Sequence, residues 1–263
     1  SATHANILVD AETGEVLASM NPDAITYPAS LTKMMTLYLT FEALSEGRLK
    51  LTDRVVMSPR AAAQAPTKIG LSPGDSLSVD EAIKAMTVKS ANDVAVAMAE
   101  RLAGSESRFA ALMTLRGQEL GMRNSRFVNA SGLPDSRQIS TARDLAILSR
   151  ATMRDFPQYY SYFSVKGFYF RGNYIKGHNR LLDSMDGFDG LKTGYTNASG
   201  FNLAGFGTKR ILLRAVGPTL AAAPFNVAGV LADPSLRLVR GDNLVIREND
   251  NWESGNDAAL INE

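Results

Sequence analysis

Cysteine is absent from the 263 residues. That absence excludes disulfides, thiolate nucleophiles, iron–sulfur clusters and cysteine-built zinc sites together. It leaves the compartment open, because a chain this long buries enough core to be exported without disulfides. Histidine is scarce: only His4 and His178 occur. Neither lies in an H-E-x-x-H frame, and two are too few for a histidine-rich metal site. An excess of one charge is also lacking. Lys+Arg number 28 against 27 Asp+Glu, a formal net charge of +1, so electrostatics offers no case for nucleic acid or an anionic membrane surface. No apolar run reaches the ~18 residues that a membrane span needs. The first residues, Ser1-Ala-Thr-His-Ala-Asn6, lack the basic-then-apolar profile of a secretory leader, so an exported protein is expected to begin after a cleaved one. Neither metal nor cofactor is expected. A catalyst of this composition relies on hydroxyls, amines, carboxylates and backbone.

What is present suits one large domain, or one with a small appendage: 45% of side chains are apolar. Residues 5 to 19 read as a hairpin around Asp10–Gly14. Ser30 to Glu46 holds no Pro or Gly, with Gly47 as a stop, and its apolar residues lie around nearly the whole circumference. Such a helix belongs at the centre of a domain. A short strand is expected over Thr52–Ser58, a turn over Leu71–Asp75, and helices over about Val79–Val88, Asp93–Leu102, Glu106–Leu120 and Thr141–Arg154. From Met153 to Arg180 the texture is β-rich, with a second hairpin around Arg171-Gly172-Asn173. Gly190–Tyr195, Phe201–Phe206 and Arg210–Val216 read as a strand meander. Strands at both ends of a helical middle predict one sheet assembled from distant parts of the chain.

Three triplets carry chemistry. Ser30-Leu31-Thr32-Lys33 is the one S-x-x-K in the chain. On a helix, positions i and i+3 share a face, so a hydroxyl and an amine meet there. A serine needs a base to become a nucleophile, and a desolvated amine can be that base. Free N–H groups at a helix start also offer half of an oxyanion hole. Ser90-Ala91-Asn92 interrupts a helical region and aims polar atoms toward a cleft. Lys192-Thr193-Gly194 lies in a strand, where Gly admits close approach of a ligand backbone. Taken singly, each has a plainer reading: a capping serine before a solvated lysine, a helix cap, an exposed strand start.

In this order, S-x-x-K, S-x-N and K-T-G, the triplets resemble the penicillin-recognising serine acyltransferases, and within them the low-molecular-mass D-alanyl-D-alanine carboxypeptidases. The likeness extends through Tyr27–Met34, Lys89–Ala95, Asn129–Pro134, His178–Leu182, Gly190–Thr196 and Ser199–Leu203, and spans about residues 5–208. It implies an α/β (α+β) fold of the β-lactamase/transpeptidase type: an antiparallel sheet flanked by helices, with a mostly helical lobe over about residues 50–155. It makes Ser30 the acylated nucleophile and Lys33 its base. Ser90 relays a proton to the leaving group, and Asn92 holds the substrate amide. Lys192 is the cation that keeps Lys33 neutral, Thr193 binds the substrate carboxylate, and Gly194 lets the substrate approach. The backbone N–H groups of Ser30 and Tyr195 form the oxyanion hole. The implied partners are peptidoglycan stem peptides and β-lactam antibiotics, and the implied location is periplasmic or extracytoplasmic.

The likeness fails near the end. The family places a carboxylate-binding arginine after the K-T-G hairpin, whereas Gly217–Ala223 follows here without one. Residues 1–217 are therefore expected to be the peptidase domain, and 218–263 an atypical β-like segment packing on the sheet. Two other functions use the same residues: a β-lactamase, or a weakly catalytic penicillin-binding sensor or scaffold. Residues 155 to 190 contain no Glu, which speaks against a lactamase with a glutamate-held deacylating water.

Overall fold

The computed structural model describes residues 4–184, 188–207, 236–239 and 245–249. β1 (Asn6–Val9) and β2 (Val16–Met20) form the expected first hairpin. The Asp10 carboxylate closes its turn by accepting from the Glu12 and Thr13 amides. A 3-10 turn, Ala29–Thr32, then leads into α1 (Lys33–Ser45). The expected helix from Ser30 thus starts as α-helix three residues later. Ala29, at φ 48°, kinks the chain just before the serine. Met34, Met35, Leu37 and Phe41 on α1 are fully buried, and so is the Lys33 amine. The helix is the centre of the core, as its all-round apolar surface predicts.

β3 (Arg54–Val56), α2 (Pro59–Ala62) and β4 (Ser76–Ser78) follow. α3 (Val79–Lys84) opens with a capping box: the Glu81 amide donates to Ser78 Oγ at 3.1 Å, and the Ser78 amide to Glu81 at 2.7 Å. A π-helical turn, Ala85–Lys89, prolongs it to Ser90. Next come α4 (Asn92–Ala103), α5 (Glu106–Leu120) and α6 (Ala142–Asp155), near the expected bounds, with Thr141 capping α6. α4, α5 and α6 each pack on α1.

The β-rich texture expected after Met153 is partly corrected. Pro157–Ser164 is 3-10 helix, and only then does the hairpin of β5 (Gly167–Phe170) and β6 (Asn173–Lys176) begin. Aromatics mislead here, since they favour strands in general but in this segment serve the core. Tyr159 stacks on Phe41 with ring centroids 5.2 Å apart, and Phe163 meets the same ring edge-on at 6.1 Å. A short α7 (Leu181–Ser184) precedes β7 (Phe188–Thr196) and β8 (Gly200–Gly207). β9 (Leu236–Val239) and β10 (Val245–Asn249) pair near the end of the chain.

Among the described residues the ladders are five antiparallel pairs: β1–β2, β3–β4, β5–β6, β7–β8 and β9–β10. A ladder uniting the first hairpin with β7–β8 in one sheet, as expected, is not among them. The Arg210–Val216 strand and the Gly217–Ala223 stretch lie outside the described residues. α6 packs on both β1 and β8, while β7 and β8 pack on the Ala29–Thr32 turn. Those contacts bring the third triplet to the first. No helix among the described residues is long and apolar enough to cross a membrane.

Candidate active site

All three triplets converge. Lys33 Nζ lies 3.3 Å from Ser30 Oγ, 2.7 Å from Asn92 Oδ1 and 2.6 Å from the Ser131 carbonyl oxygen. Asn92 is fixed from behind, its Nδ2 donating to the Ala65 carbonyl and its backbone amide to that of Thr67. On the opposing strand, Lys192 Nζ donates to Ser90 Oγ at 2.9 Å and to the Thr193 carbonyl at 3.0 Å. Ser30, Ser90, Thr193, Gly194 and Tyr195 are half-buried, whereas Asn92 and both lysines are buried. Hydroxyls and strand edge thus face a cleft whose amines sit in its walls.

Burial decides the charge of those amines. It pushes Lys33 well below the ordinary lysine value; the Lys192 cation adds to the effect and the Asp93 carboxylate opposes it. Burial alone brings Lys192 down to about 7. A neutral amine keeps two N–H donors and one lone pair. In Lys33 the two short contacts, to Asn92 and Ser131, take the donors. The lone pair is left for the Ser30 hydroxyl, so the arrangement can accept a proton from Ser30 Oγ.

The backbone is bent to reach this geometry. Ala29 and Ser90 adopt φ 48° and 59°, left-handed conformations that cost non-glycine residues about 1–3 kcal/mol each. Thr67 Oγ1 holds the second bend, donating to the Lys89 and Ser90 carbonyls. Two glycines accommodate the first. A Cβ on Gly132, at φ 89°, would run into the Ala29 carbonyl. A Cβ on Gly194 would lie 2.9 Å from the Ser30 amide nitrogen and 3.2 Å from that of Leu31. β7 therefore presses directly on the amides at the start of the Ser30 turn.

Sequence reasoning missed three contributors. The Ser131 carbonyl is a ligand of the base, yet any residue supplies a carbonyl. The Asn129–Pro134 stretch that places it was visible only as part of the resemblance. Thr67 sits in a loop without periodicity. Asp93, fully buried, takes the Ile69 and Gly70 amides at 3.0 and 2.9 Å and so fixes the loop beneath Asn92.

Comparison with known proteins agrees with the geometry. A family profile described as D-alanyl-D-alanine carboxypeptidase matches residues 1–216. The chain is 39% identical over 210 residues to D-alanyl-D-alanine carboxypeptidase DacA of Escherichia coli, covering 77% of this chain and 52% of that one. To DacF of Bacillus subtilis, of the same description, it is 35% identical over 228 residues, covering 82% and 57%. The chain thus spans about half the length of these curated relatives. Among solved structures it resembles penicillin binding protein 5 of Haemophilus influenzae, with TM-score 0.75, 36% identity, and coverage of 80% of this chain and 63% of that one. It also resembles penicillin-binding protein D2 of Listeria monocytogenes in an ampicillin-bound form, with TM-score 0.69, 30% identity, and coverage of 80% and 87%.

Proposed function

The chain belongs to the D-alanyl-D-alanine carboxypeptidase family, and on that premise we propose that it is a serine-type carboxypeptidase removing the terminal D-alanine of peptidoglycan stem peptides. The observation that carries the reading is the buried Lys33 amine, its donors committed to Asn92 and Ser131 and its lone pair turned to Ser30. As Ser30 Oγ bonds to the carbonyl carbon of the penultimate D-alanine, its proton passes to Lys33 Nζ. The carbonyl oxygen takes the negative charge and meets the Ser30 and Tyr195 amides; the pressure of Gly194 on the Ser30 turn supports that pairing. When the C–N bond breaks, Ser90 passes a proton to the leaving amine and takes up the proton held by Lys33, which is neutral again. Thr193 and the Lys192 cation bind the terminal carboxylate. Water then attacks the acyl carbon with Lys33 again as base, releasing the shortened peptide and restoring the Ser30 hydroxyl.

A β-lactam enters by the same first step, as the ampicillin-bound relative suggests for this chain. The family match over residues 1–216 supports reading 1–217 as the catalytic domain. A peptidoglycan substrate is met outside the cytoplasm, which supports a periplasmic or extracytoplasmic location. The test is intact-protein mass spectrometry after incubation with benzylpenicillin, followed by a tryptic map. One stable adduct on Ser30 is expected. An adduct on Ser90 would overturn the assignment of roles. Rapid drug turnover would mean a lactamase, and no adduct a non-catalytic scaffold.

A further inference from the structure

Among the described residues, three buried carboxylates stand outside the set that the proposed mechanism uses: Asp93, Asp144 and Glu106. Asp93 fixes the loop beneath Asn92, and Asp144 ties the Asn124 amide and the Ser125 hydroxyl to the start of α6. Glu106, the first residue of α5, instead reaches the segment whose carbonyl meets the base. Its Oε2 accepts from Arg60 Nη2 at 2.6 Å and Nε at 3.1 Å, and its Oε1 accepts from the Ala130 amide at 3.1 Å.

Side chains, not a ladder, take the amides of that segment. Gln138 Oε1 accepts from Val128 and Asn129, Glu106 from Ala130, and Asn129 Oδ1 from Gly132. Two of its carbonyls meet α1. Thr36 Oγ1 donates to the Ala130 carbonyl at 2.8 Å, and Lys33 Nζ to the Ser131 carbonyl at 2.6 Å. Lys33 and Thr36 share one face of α1 at i and i+3. Ala130 and Ser131 are thus gripped by α1 through their carbonyls and by α5 through an amide.

Stability alone does not call for a carboxylate here. The Glu106 side chain is 4% exposed and that of Arg60 65%, so one charge is desolvated while its partner stays in water. Such a pair returns little against the cost of burial, and an apolar side chain of similar volume often does as well. An apolar side chain cannot, however, accept the Ala130 amide.

We propose that Glu106 is a positioning residue for the acylation base: by holding the Ala130 amide, it keeps the Ser131 carbonyl on Lys33 Nζ. That carbonyl occupies one N–H of the amine and so keeps the lone pair turned to Ser30. Releasing the loop frees the amine to rotate. It also makes the amine less basic, since a carbonyl binds an ammonium more strongly than a neutral amine. The other charges facing Lys33 are Lys192 on β7 and Asp93 on α4, and the substitutions below leave both in place. The inference rests on the proposed function for the roles of Ser30 and Lys33.

The experiment compares Glu106→Gln with Glu106→Met. Both lose the Arg60 ion pair, but only Met loses the acceptor for the Ala130 amide. Thr36→Val frees the Ala130 carbonyl from the α1 side at nearly constant shape, and it carries the test if Glu106→Met fails to fold. One readout is the second-order rate of benzylpenicillin acylation. The other is a carbon-13 NMR titration of the lysine side chains, with the Lys33 signal identified by its absence from Lys33→Met. Glu106→Met should acylate about 10–100-fold more slowly, the cost of a misaimed group, with Lys33 titrating about one pH unit lower. Thr36→Val should move both readouts the same way by less. Glu106→Gln should stay within about threefold of wild type, its Lys33 titration unmoved. Equal losses in the two Glu106 variants would overturn the proposal, because the ion pair and not the acceptor would then be at work. So would a Lys33 that titrates in Glu106→Met and Thr36→Val as in wild type, since slower acylation would then reflect only a smaller folded fraction. A wild type that forms no penicillin adduct refutes the proposed function instead. The NMR titration needs no turnover and still decides whether Glu106 governs Lys33.

Discussion

The two walls of the cleft are built on opposite principles. The helical wall, made by the Ala29–Thr32 turn, α1 and the start of α4, places its polar atoms in a core of fully buried side chains such as Met34, Leu37, Val94 and Met98. Nearly every polar group there has a named partner: Lys33 has three, and Asn92 is held through side chain and backbone. The strand wall, β7–β8 with the β5–β6 hairpin, contributes one buried amine, a pressed backbone and a rim of solvated cations. The first wall fixes a protonation state by excluding water. The second leaves room for a ligand. Rigidity and reactivity therefore reside on one side, and recognition on the other.

Substitutions can break this contrast in order of severity. Lys33→Met should act hardest on chemistry and far less on folding. Loss of a general base costs about 10²–10⁴-fold in rate, while Met keeps the stem and the relief of a buried amine's desolvation offsets the donors lost to Asn92 Oδ1 and the Ser131 carbonyl. Stopped-flow acylation should collapse while the melting temperature at pH 7 moves by only a few degrees. Wild-type acylation by this variant would place the base elsewhere.

The two close-packed glycines should divide along the same line. Gly132→Ala needs a left-handed alanine whose Cβ strikes the Ala29 carbonyl. A loss of about 2 kcal/mol or more in urea unfolding is expected, along with lost activity. Gly194→Ala meets the Ser30 and Leu31 amides at 2.9 and 3.2 Å from the strand side. Its acylation rate should fall with a far smaller change in stability. Equal destabilisation by both variants would erase the distinction between the walls.

The gentlest test is pH. Lys33 must be neutral and Lys192 charged, and burial brings Lys192 to about 7. Values of kcat/KM should therefore decline above about pH 7. The decline in kcat should begin at higher pH, because a bound carboxylate favours the Lys192 cation. The stability consequence has a definite sign. Lysines of lowered pKa bind fewer protons folded than unfolded, so stability rises with pH. For Lys192 that rise runs from about 7 to its ordinary value of 10.5. A melting temperature flat across that window would contradict the buried charge state.

Much of this was readable before any coordinates. α1 announced itself by an uninterrupted apolar circumference, α4 and α5 by Gly104 and Gly121 just past their ends, and the candidate site by three triplets in order. The misreadings share a cause. The β-rich texture read from Met153 to Arg180 takes in Pro157–Ser164, whose aromatics satisfy β preference, yet Phe41 across the core recruits them. α2 and β4 escaped notice, being four and three residues long. The Ser131 carbonyl and the left-handed Ala29 and Ser90 are backbone features, and side-chain identity does not encode them. The expected union of the terminal strands in one sheet turns on the Arg210–Val216 strand, which lies outside the described residues.

The base itself is assembled from distant parts of the chain. Its three partners stand 3, 59 and 98 residues away along the chain, so no short segment can reproduce its surroundings. In an unfolded chain the same amine sits in water, protonated at neutral pH, and the serine beside it is an ordinary alcohol. Only when α4 and the Ser131 loop have closed on α1 does that amine give up its proton. On the proposed function the chain is thus unarmed until it is folded, and covalent labelling by penicillin should count native molecules alone.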